Sequence, residues 1–290
     1  MPNLELIEKK DVSSFRKIAI GTWRTVGDPT VYGSIELRME RALAYIDEFR
    51  RRTGKRLTIS HLMAKAVALT LREMPDANAI LRRNRIYLRK VIGVFFQVAM
   101  TDGGDGKADL SGATLYGVDQ LSLLEICDQF EAKVEKVRTR KDEALEKTRG
   151  MFLKLPYRLL GPILNLISWL SFELNLDLRW AGIPSDPFGS VMITNVGSLG
   201  LDTAYVPLVP YSHVPILLAL GAVKEQPVVD DGKLAVGKVM KVHATFDHRL
   251  IDGFHASVMS KCLRRFVENP EDHFDKLADL APALPAARVG

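Results

Sequence analysis

One histidine lies among charged side chains in the segment 246–253 (FDHRLIDG). An imidazole titrates near neutrality, so His248 has the chemistry to take a proton from a thiol or a hydroxyl at physiological pH. Asp247, Arg249 and Asp252 could orient its ring and fold the segment through ion pairs. The segment therefore indicates either a general base in a catalytic loop or a surface cluster of ion pairs, and both interpretations stay open on these residues alone.

The neighbouring patterns place this segment between a strand and a helix. Residues 239–246 (VMKVHATF) alternate as a half-buried strand does, and residues 253–267 have a helical pattern that Pro270 closes. Loops held by a rigid sheet often carry catalytic groups. The sequence thus predicts that His248 and Asp252 lie on a strand-to-helix connection.

Helical and strand patterns alternate along the rest of the chain. They are a buried helix at 58–74 that Thr58 or Ser60 caps, a strand or strand pair at 86–100, a charged helix at 119–147, and short strands after 188, one of them at 206–210. Since no Pro/Gly/Ser-rich linker interrupts them, we expect one α/β domain over 1–290, with an extended tail at 278–290.

Composition excludes some classes of protein. The net charge of +5 and the pI near 9.1 are a mild excess of basic residues, so we expect no nucleic-acid binding. Cys127 and Cys262 are far apart and lack metal-ligand spacing, so no metal site is expected. The N-terminal residues contain no apolar run typical of a signal peptide, which predicts a cytoplasmic location.

The segment 151–180 is apolar but does not fit the alternating pattern. Lysine, arginine, glutamate and prolines interrupt it, so it falls short of the roughly 20 apolar residues that span a bilayer. Two interpretations remain. It is a helical excursion that packs on the core or on a neighbouring subunit, or it is a lid at a membrane surface or for a lipid substrate.

Four short motifs together resemble one known family. They are TNVG at 194–197, VPIL at 214–217, DHRLIDG at 247–253 and NPE at 269–271. In this order they resemble the catalytic domains of the dihydrolipoamide acyltransferases of 2-oxoacid dehydrogenase complexes, which are related to chloramphenicol acetyltransferase. The likeness extends to 16–19 and 74–79 and covers nearly the whole chain except about 138–187.

The resemblance implies a chloramphenicol acetyltransferase-like two-layer α/β sandwich with a mixed sheet, to which this chain adds an apolar helical insertion at about 138–187. It also implies homotrimers with active sites between subunits. In such enzymes an acyl group passes between coenzyme A and the thiol of a lipoyl group. His248 would be the general base, and Thr194 matches the hydroxyl residue, often serine, that hydrogen-bonds the oxyanion.

Other positions receive supporting roles from the resemblance. Asp252 matches the acidic residue that orders the catalytic loop through an arginine, for which Arg16 is the candidate. Asn195 and Gly197 would shape the turn beside the site. The remaining supporting residues are Asp247, Arg249 and Gly253.

The sequence also departs from the family. No lipoyl domain or peripheral-subunit-binding domain precedes the match, so we expect no covalently bound lipoyl group in this chain. Residues 102–107 (DGGDGK) replace a strand that lines the substrate channel in relatives. The leading hypothesis is a stand-alone acyl-CoA-dependent acyltransferase. The alternatives are an acyltransferase core that uses a separate lipoyl-bearing protein, and a catalytically silent trimeric scaffold.

Overall fold

The computed structural model describes residues 3–10, 28–101, 108–138 and 156–280. Its strands are β1 (Leu6–Glu8), β2 (Thr30–Arg38), β3 (Ala79–Arg82), β4 (Arg85–Arg89), β5 (Gly93–Thr101), β6 (Ala108–Tyr116), β7 (Val191–Asn195), β8 (Ile216–Asp230) and β9 (Lys233–Asp247). A six-stranded sheet has the order β2-β9-β8-β7-β5-β6, and a small sheet has the order β1-β4-β3. The large sheet is mixed, because β7 runs parallel to both β5 and β8 while the other pairs are antiparallel.

The described residues form six α-helices. They are α1 (Glu40–Thr53), α2 (Ile59–Glu73), α3 (Leu123–Arg138), α4 (Tyr157–Ser168), α5 (Gly253–Glu268) and the short α6 (Pro270–His273). Alternate residues of β8 and β9, such as Leu218 and Val242, join α1, α2, α3 and α5 in the main core. This arrangement confirms the predicted α/β fold with a mixed sheet.

Local sequence signals account for α2. Its residues from His61 to Leu71 are almost all buried, and the Thr58 side chain accepts a hydrogen bond from the His61 backbone N–H at 3.4 Å. The helix ends at Glu73, two residues before Pro75, since proline is not tolerated in the interior of a helix. The predicted helix at 58–74 is therefore confirmed.

Three other predictions meet a different outcome. The pattern at 86–100 falls on β4 and β5, which belong to different sheets. The prediction of a strand at 206–210 was wrong: residues 206–209 have no regular structure and Pro210 begins a 3-10 turn. Val206 and Leu208 pack against Leu217 and Ala219 of β8. Of the predicted helix at 119–147, α3 accounts for 123–138, and residues 139–147 lie outside the described ranges.

The apolar segment forms α4 and continues as one π-helical turn, Trp169–Glu173. Phe172 is buried in a small cluster with Leu4 and Ile80, which ties this turn to the small sheet. Leu166 and Trp169, however, are half exposed, and Trp180 is 85% exposed. In the described ranges no helix is long and apolar enough to cross a membrane. A role at a membrane surface stays a prediction.

Candidate active site

The loop after β9 is fixed by backbone hydrogen bonds. The N–H of Asp247 donates to the Pro215 carbonyl at 3.0 Å, and the N–H of His248 donates to the Pro29 carbonyl at 2.8 Å. The N–H groups of Leu250 and Ile251 both donate to the Asp247 carbonyl, at 3.0 and 2.9 Å. These bonds hold the turn from both sides, so the His248 backbone has a defined position beside the edge of the sheet.

A backbone carbonyl sets the tautomer of His248. Its Nδ1 lies 2.9 Å from the Ile251 carbonyl oxygen. Since a carbonyl can only accept, Nδ1 must carry the proton in this contact, and in the neutral ring the lone pair is then on Nε2. His248 is half-buried. The ring thus has the tautomer that a general base needs.

The charged neighbours of His248 stabilise the loop. Asp247 is buried, and its carboxylate accepts from Nε and Nη2 of Arg249, at 3.0 and 2.6 Å. It also accepts from the Arg249 backbone N–H at 2.9 Å. A bidentate pair of this kind fixes the geometry of both side chains. The contact of the His248 ring that the structure shows is with the Ile251 carbonyl, and an orienting role for these charges stays a prediction.

Asp252 is the N-cap of α5. Its Oδ1 accepts from the backbone N–H of His255 at 3.1 Å and lies 2.6 Å from the His255 Nδ1. Gly253 is the exposed first residue of the helix. Arg16, the predicted partner of Asp252, lies outside the described residues. The structure therefore shows Asp252 at the junction of the loop and α5. At this position its side chain can stabilise both the end of the loop and the start of the helix.

Replacing Asp252 by alanine is expected to lower the free energy of unfolding by about 1 kcal/mol, because the helix loses its side-chain cap. Urea denaturation of the whole chain measures this change. Asp252→Asn is the matched control, since asparagine also caps helices and should recover most of the loss. Equal stability of the alanine variant and the parent would show that the cap contributes nothing.

Thr194 and Asn195 end β7, next to a tight turn. The Asn195 side chain accepts from the Ser198 N–H at 3.0 Å and donates to the Ser60 hydroxyl at 3.3 Å. At Gly197 an added Cβ would lie 2.5 Å from the backbone of Gly221. Only glycine fits such a close approach, so this turn packs directly on β8.

The sheet register keeps Thr194 away from His248 of the same chain. Thr194 pairs with Ala219, which pairs with His243 of β9. His248 lies five residues beyond His243, or about 16 Å along the strand direction, and the strand β8 separates β7 from β9. The structure therefore does not bring the predicted base and the predicted oxyanion donor together within one chain.

Sequence reasoning overlooked a second histidine near the loop. His213 lines a cavity of about 560 Å³ that Asp247 and Arg249 also line. Its ring stacks on Phe172 at 4.2 Å, and its Nε2 lies 2.6 Å from the Ser168 hydroxyl. Burial, with a smaller contribution from nearby arginines, lowers the pKa of His213 to about 4, so the ring is neutral at pH 7. No motif marked it, because its partners come from the apolar segment.

The described residues contain no cluster of metal-ligating side chains. Within residues 3–10, 28–101, 108–138 and 156–280, no group of three or more histidine, cysteine, aspartate or glutamate side chains is arranged to hold an ion. The two cysteines are buried, and burial raises the pKa of the Cys127 thiol to about 12. Neither cysteine has the exposed, low-pKa character of a reactive thiol.

Comparison with known proteins points to one family. The family model described as 2-oxoacid dehydrogenases acyltransferase (catalytic domain) matches residues 11–153 and 188–274. The two matched ranges include Thr194, His248 and Asp252. Residues 154–187 fall between the two ranges, and they include most of the apolar segment 151–180.

Curated relatives and solved structures agree with this match. The chain is 23% identical over 248 residues to the succinyltransferase component of the mitochondrial 2-oxoglutarate dehydrogenase complex of Saccharomyces cerevisiae, covering 85% of this chain and 43% of that protein. It is 22% identical to the acetyltransferase component of the acetoin cleaving system of Bacillus subtilis, covering 76% and 43%. The chain thus spans less than half the length of these relatives.

Two solved structures share the fold. One is the dihydrolipoamide acetyltransferase of Azotobacter vinelandii, with a TM-score of 0.62, 22% identity, and coverage of 91% of this chain and 93% of that one. The other is a probable dihydrolipoamide acetyltransferase of Listeria monocytogenes, with a TM-score of 0.61, 17% identity, and coverage of 94% and 98%.

Proposed function

Because the chain belongs to the family of 2-oxoacid dehydrogenase acyltransferase catalytic domains, we propose that it moves an acyl group between the thiol of coenzyme A and a second thiol. The observation that carries this proposal is the contact between the His248 Nδ1 and the Ile251 carbonyl, because it leaves the lone pair on Nε2. A base in this form accepts a proton from a thiol at neutral pH.

The chemistry requires three events at one carbonyl. Nε2 of His248 takes the proton of the incoming thiol, and the thiolate attacks the thioester carbonyl carbon. The hydroxyl of Thr194 donates a hydrogen bond to the oxygen that becomes negative in the tetrahedral intermediate. The carbonyl then re-forms, the C–S bond to the leaving sulfur breaks, and the imidazolium returns the proton to that sulfur. Every step reverses, so transfer is possible in both directions.

We propose further that two copies of the chain complete each site. The register places Thr194 and His248 far apart in one copy, so the reaction above requires the Thr194 of a neighbouring copy. A head-to-tail contact that uses two different surfaces closes into a ring, and a homotrimer is such a ring. The trimer expected from the resemblance supplies this arrangement.

For the second thiol we propose dihydrolipoamide, carried on a separate protein. The names of the curated relatives describe a succinyltransferase and an acetyltransferase that act on a dihydrolipoyllysine residue. One alternative acceptor is a small thiol. The other alternative is a trimeric scaffold that has no catalytic activity. His248 in its base tautomer and a hydroxyl at Thr194 favour an active enzyme.

Release of free coenzyme A tests the function. Acetyl-, succinyl-, isobutyryl- and octanoyl-CoA are each incubated with the chain, with and without dihydrolipoamide, and with cysteamine as a simple thiol. We expect release that depends on dihydrolipoamide for at least one acyl group. Release at the same rate with and without either thiol would indicate hydrolysis of the thioester. No release from any acyl-CoA would support the alternative of a catalytically silent scaffold.

A further inference from the structure

An apolar slot of about 380 Å³ lies between the large sheet and helix α5. Strands β2, β8 and β9 line it on the sheet side, and α5 lines it on the helix side. All of its lining residues are uncharged. The volume is within the range of about 300–1,000 Å³ that is typical of small-molecule sites. The residues that define the slot include Gly33, Leu218, Val242, Phe246, Gly253 and Leu263.

Small residues on both sides create the space. On β2, a Cβ added at Gly33 would contact only the Phe246 ring, at 4.0 Å. On α5, Gly253, Ala256 and Ser260 line the slot, at spacings of three and four residues that place them on one face of the helix. The Ser260 hydroxyl donates to the Ser257 carbonyl at 2.8 Å, so its hydrogen bond is made within the helix. The slot therefore offers a ligand mainly apolar contacts.

The slot adjoins the catalytic loop. Phe246 precedes the loop residues 247–252 and Gly253 follows them, and both line the slot. Strand β9 ends and α5 begins at this loop, so the two elements run away from it together. The strand covers about 13 Å from Phe246 to Val242, and the helix covers about 15 Å from Gly253 to Leu263. The slot thus extends from the catalytic loop into the domain over the length of a medium alkyl chain.

The position and chemistry of the slot select one occupant. In the proposed acyl transfer, on which this inference rests, the thioester carbonyl reacts at the catalytic loop, so the acyl chain is the part of the substrate that can enter the slot. An uncharged slot disfavours the terminal carboxylate of a succinyl group, because a buried charge without a partner is costly. If a methylene group takes about 30 Å³, as a water molecule does, the slot holds roughly ten of them.

We propose that the slot binds the alkyl chain of the acyl group, and that the preferred substrates are acyl-CoA thioesters of about eight to twelve carbons. The small residues Gly33, Ala256 and Ser260 then determine the specificity for chain length.

The dependence of binding and turnover on chain length tests the proposal. Acetyl-, butyryl-, octanoyl-, dodecanoyl- and palmitoyl-CoA are compared by calorimetric titration and by thiol-dependent release of coenzyme A. We expect octanoyl-CoA to bind at least about tenfold more tightly than acetyl-CoA and to have a kcat/KM higher by a similar factor, since each buried methylene group adds hydrophobic free energy. The gain should end before palmitoyl-CoA, whose chain is longer than the slot.

Gly33→Leu is the informative variant, because its side chain would occupy the slot beside Phe246. The ratio of octanoyl-CoA to acetyl-CoA affinity should fall close to unity, whereas misfolding would weaken the binding of both thioesters. Glu36→Leu is the matched control. It adds the same side chain to the opposite face of β2, where the Glu36 side chain is 61% exposed, and it should keep the parent ratio.

Ser260→Leu supplies a second variant, because leucine suits a helix and Ser260 lies about 10 Å along α5 from Gly253. It should shift the preferred chain to fewer carbons. Equal affinity of the parent for octanoyl- and acetyl-CoA would overturn the proposal, and so would the parent ratio in Gly33→Leu. Preferential binding of octanoyl-CoA without any turnover would support the slot and contradict the proposed acyl transfer. Turnover that gains nothing from a longer chain would support acyl transfer and contradict the slot.

Discussion

Replacing His248 by alanine is expected to lower the rate of acyl transfer from the preferred acyl-CoA by about 100- to 10,000-fold, the usual contribution of a positioned general base. The physical reason is the tautomer: the Ile251 carbonyl holds the proton on Nδ1, so Nε2 is the atom that accepts the thiol proton. Because the loop is held by backbone hydrogen bonds of Asp247, Leu250 and Ile251, it should keep its shape in the variant.

The assay is thiol-dependent release of coenzyme A under saturating acyl-CoA. His273→Gln is the matched control, because His273 is half-buried in α6 and has no role in the proposed chemistry. It should keep the parent rate. The same rate in the parent and in His248→Ala would show that His248 is not the general base.

Replacing Thr194 by valine is expected to lower kcat by about 100- to 1,000-fold, the usual effect of removing one oxyanion donor. Valine keeps the β-branched shape that suits β7, so the strand pairing with Ala219 should persist. The KM for acyl-CoA should change little, because the hydroxyl acts on the charge that develops in the transition state.

Thr194→Ser is the matched control for this prediction. Serine keeps the hydroxyl and loses one methyl group, so its kcat should stay close to that of the parent. If valine and serine gave the same kcat, the role of Thr194 would be that of a β-branched strand residue. A rise in KM with an unchanged kcat would place Thr194 in substrate binding.

The sequence predicts the fold best where local signals suffice. The buried helix at 58–74 carries its own cap and its own stop, and the strand at 239–246 has strict alternation. The strand β2 was not assigned, because half of its residues are exposed and its partner β9 comes from the other end of the chain. The segment 206–210 (VPLVP) has the composition of a strand, but it forms a loop that packs on β8.

The residues of the candidate site could be named from the sequence, but their geometry could not be predicted from it. The motif around His248 indicates a base, but the group that sets its tautomer is a backbone carbonyl, which no residue type encodes. The separation of Thr194 from His248 required the register of β7, β8 and β9.

In the proposed enzyme, one copy of the chain supplies His248 and another supplies Thr194. The most direct test mixes His248→Ala and Thr194→Val chains, each inactive alone, by unfolding and refolding them together. With random mixing, about a quarter of the sites of a trimer combine an intact His248 with an intact Thr194, so the account predicts about a quarter of the parent activity. Mixed trimers as inactive as the two separate variants would contradict a site shared between copies.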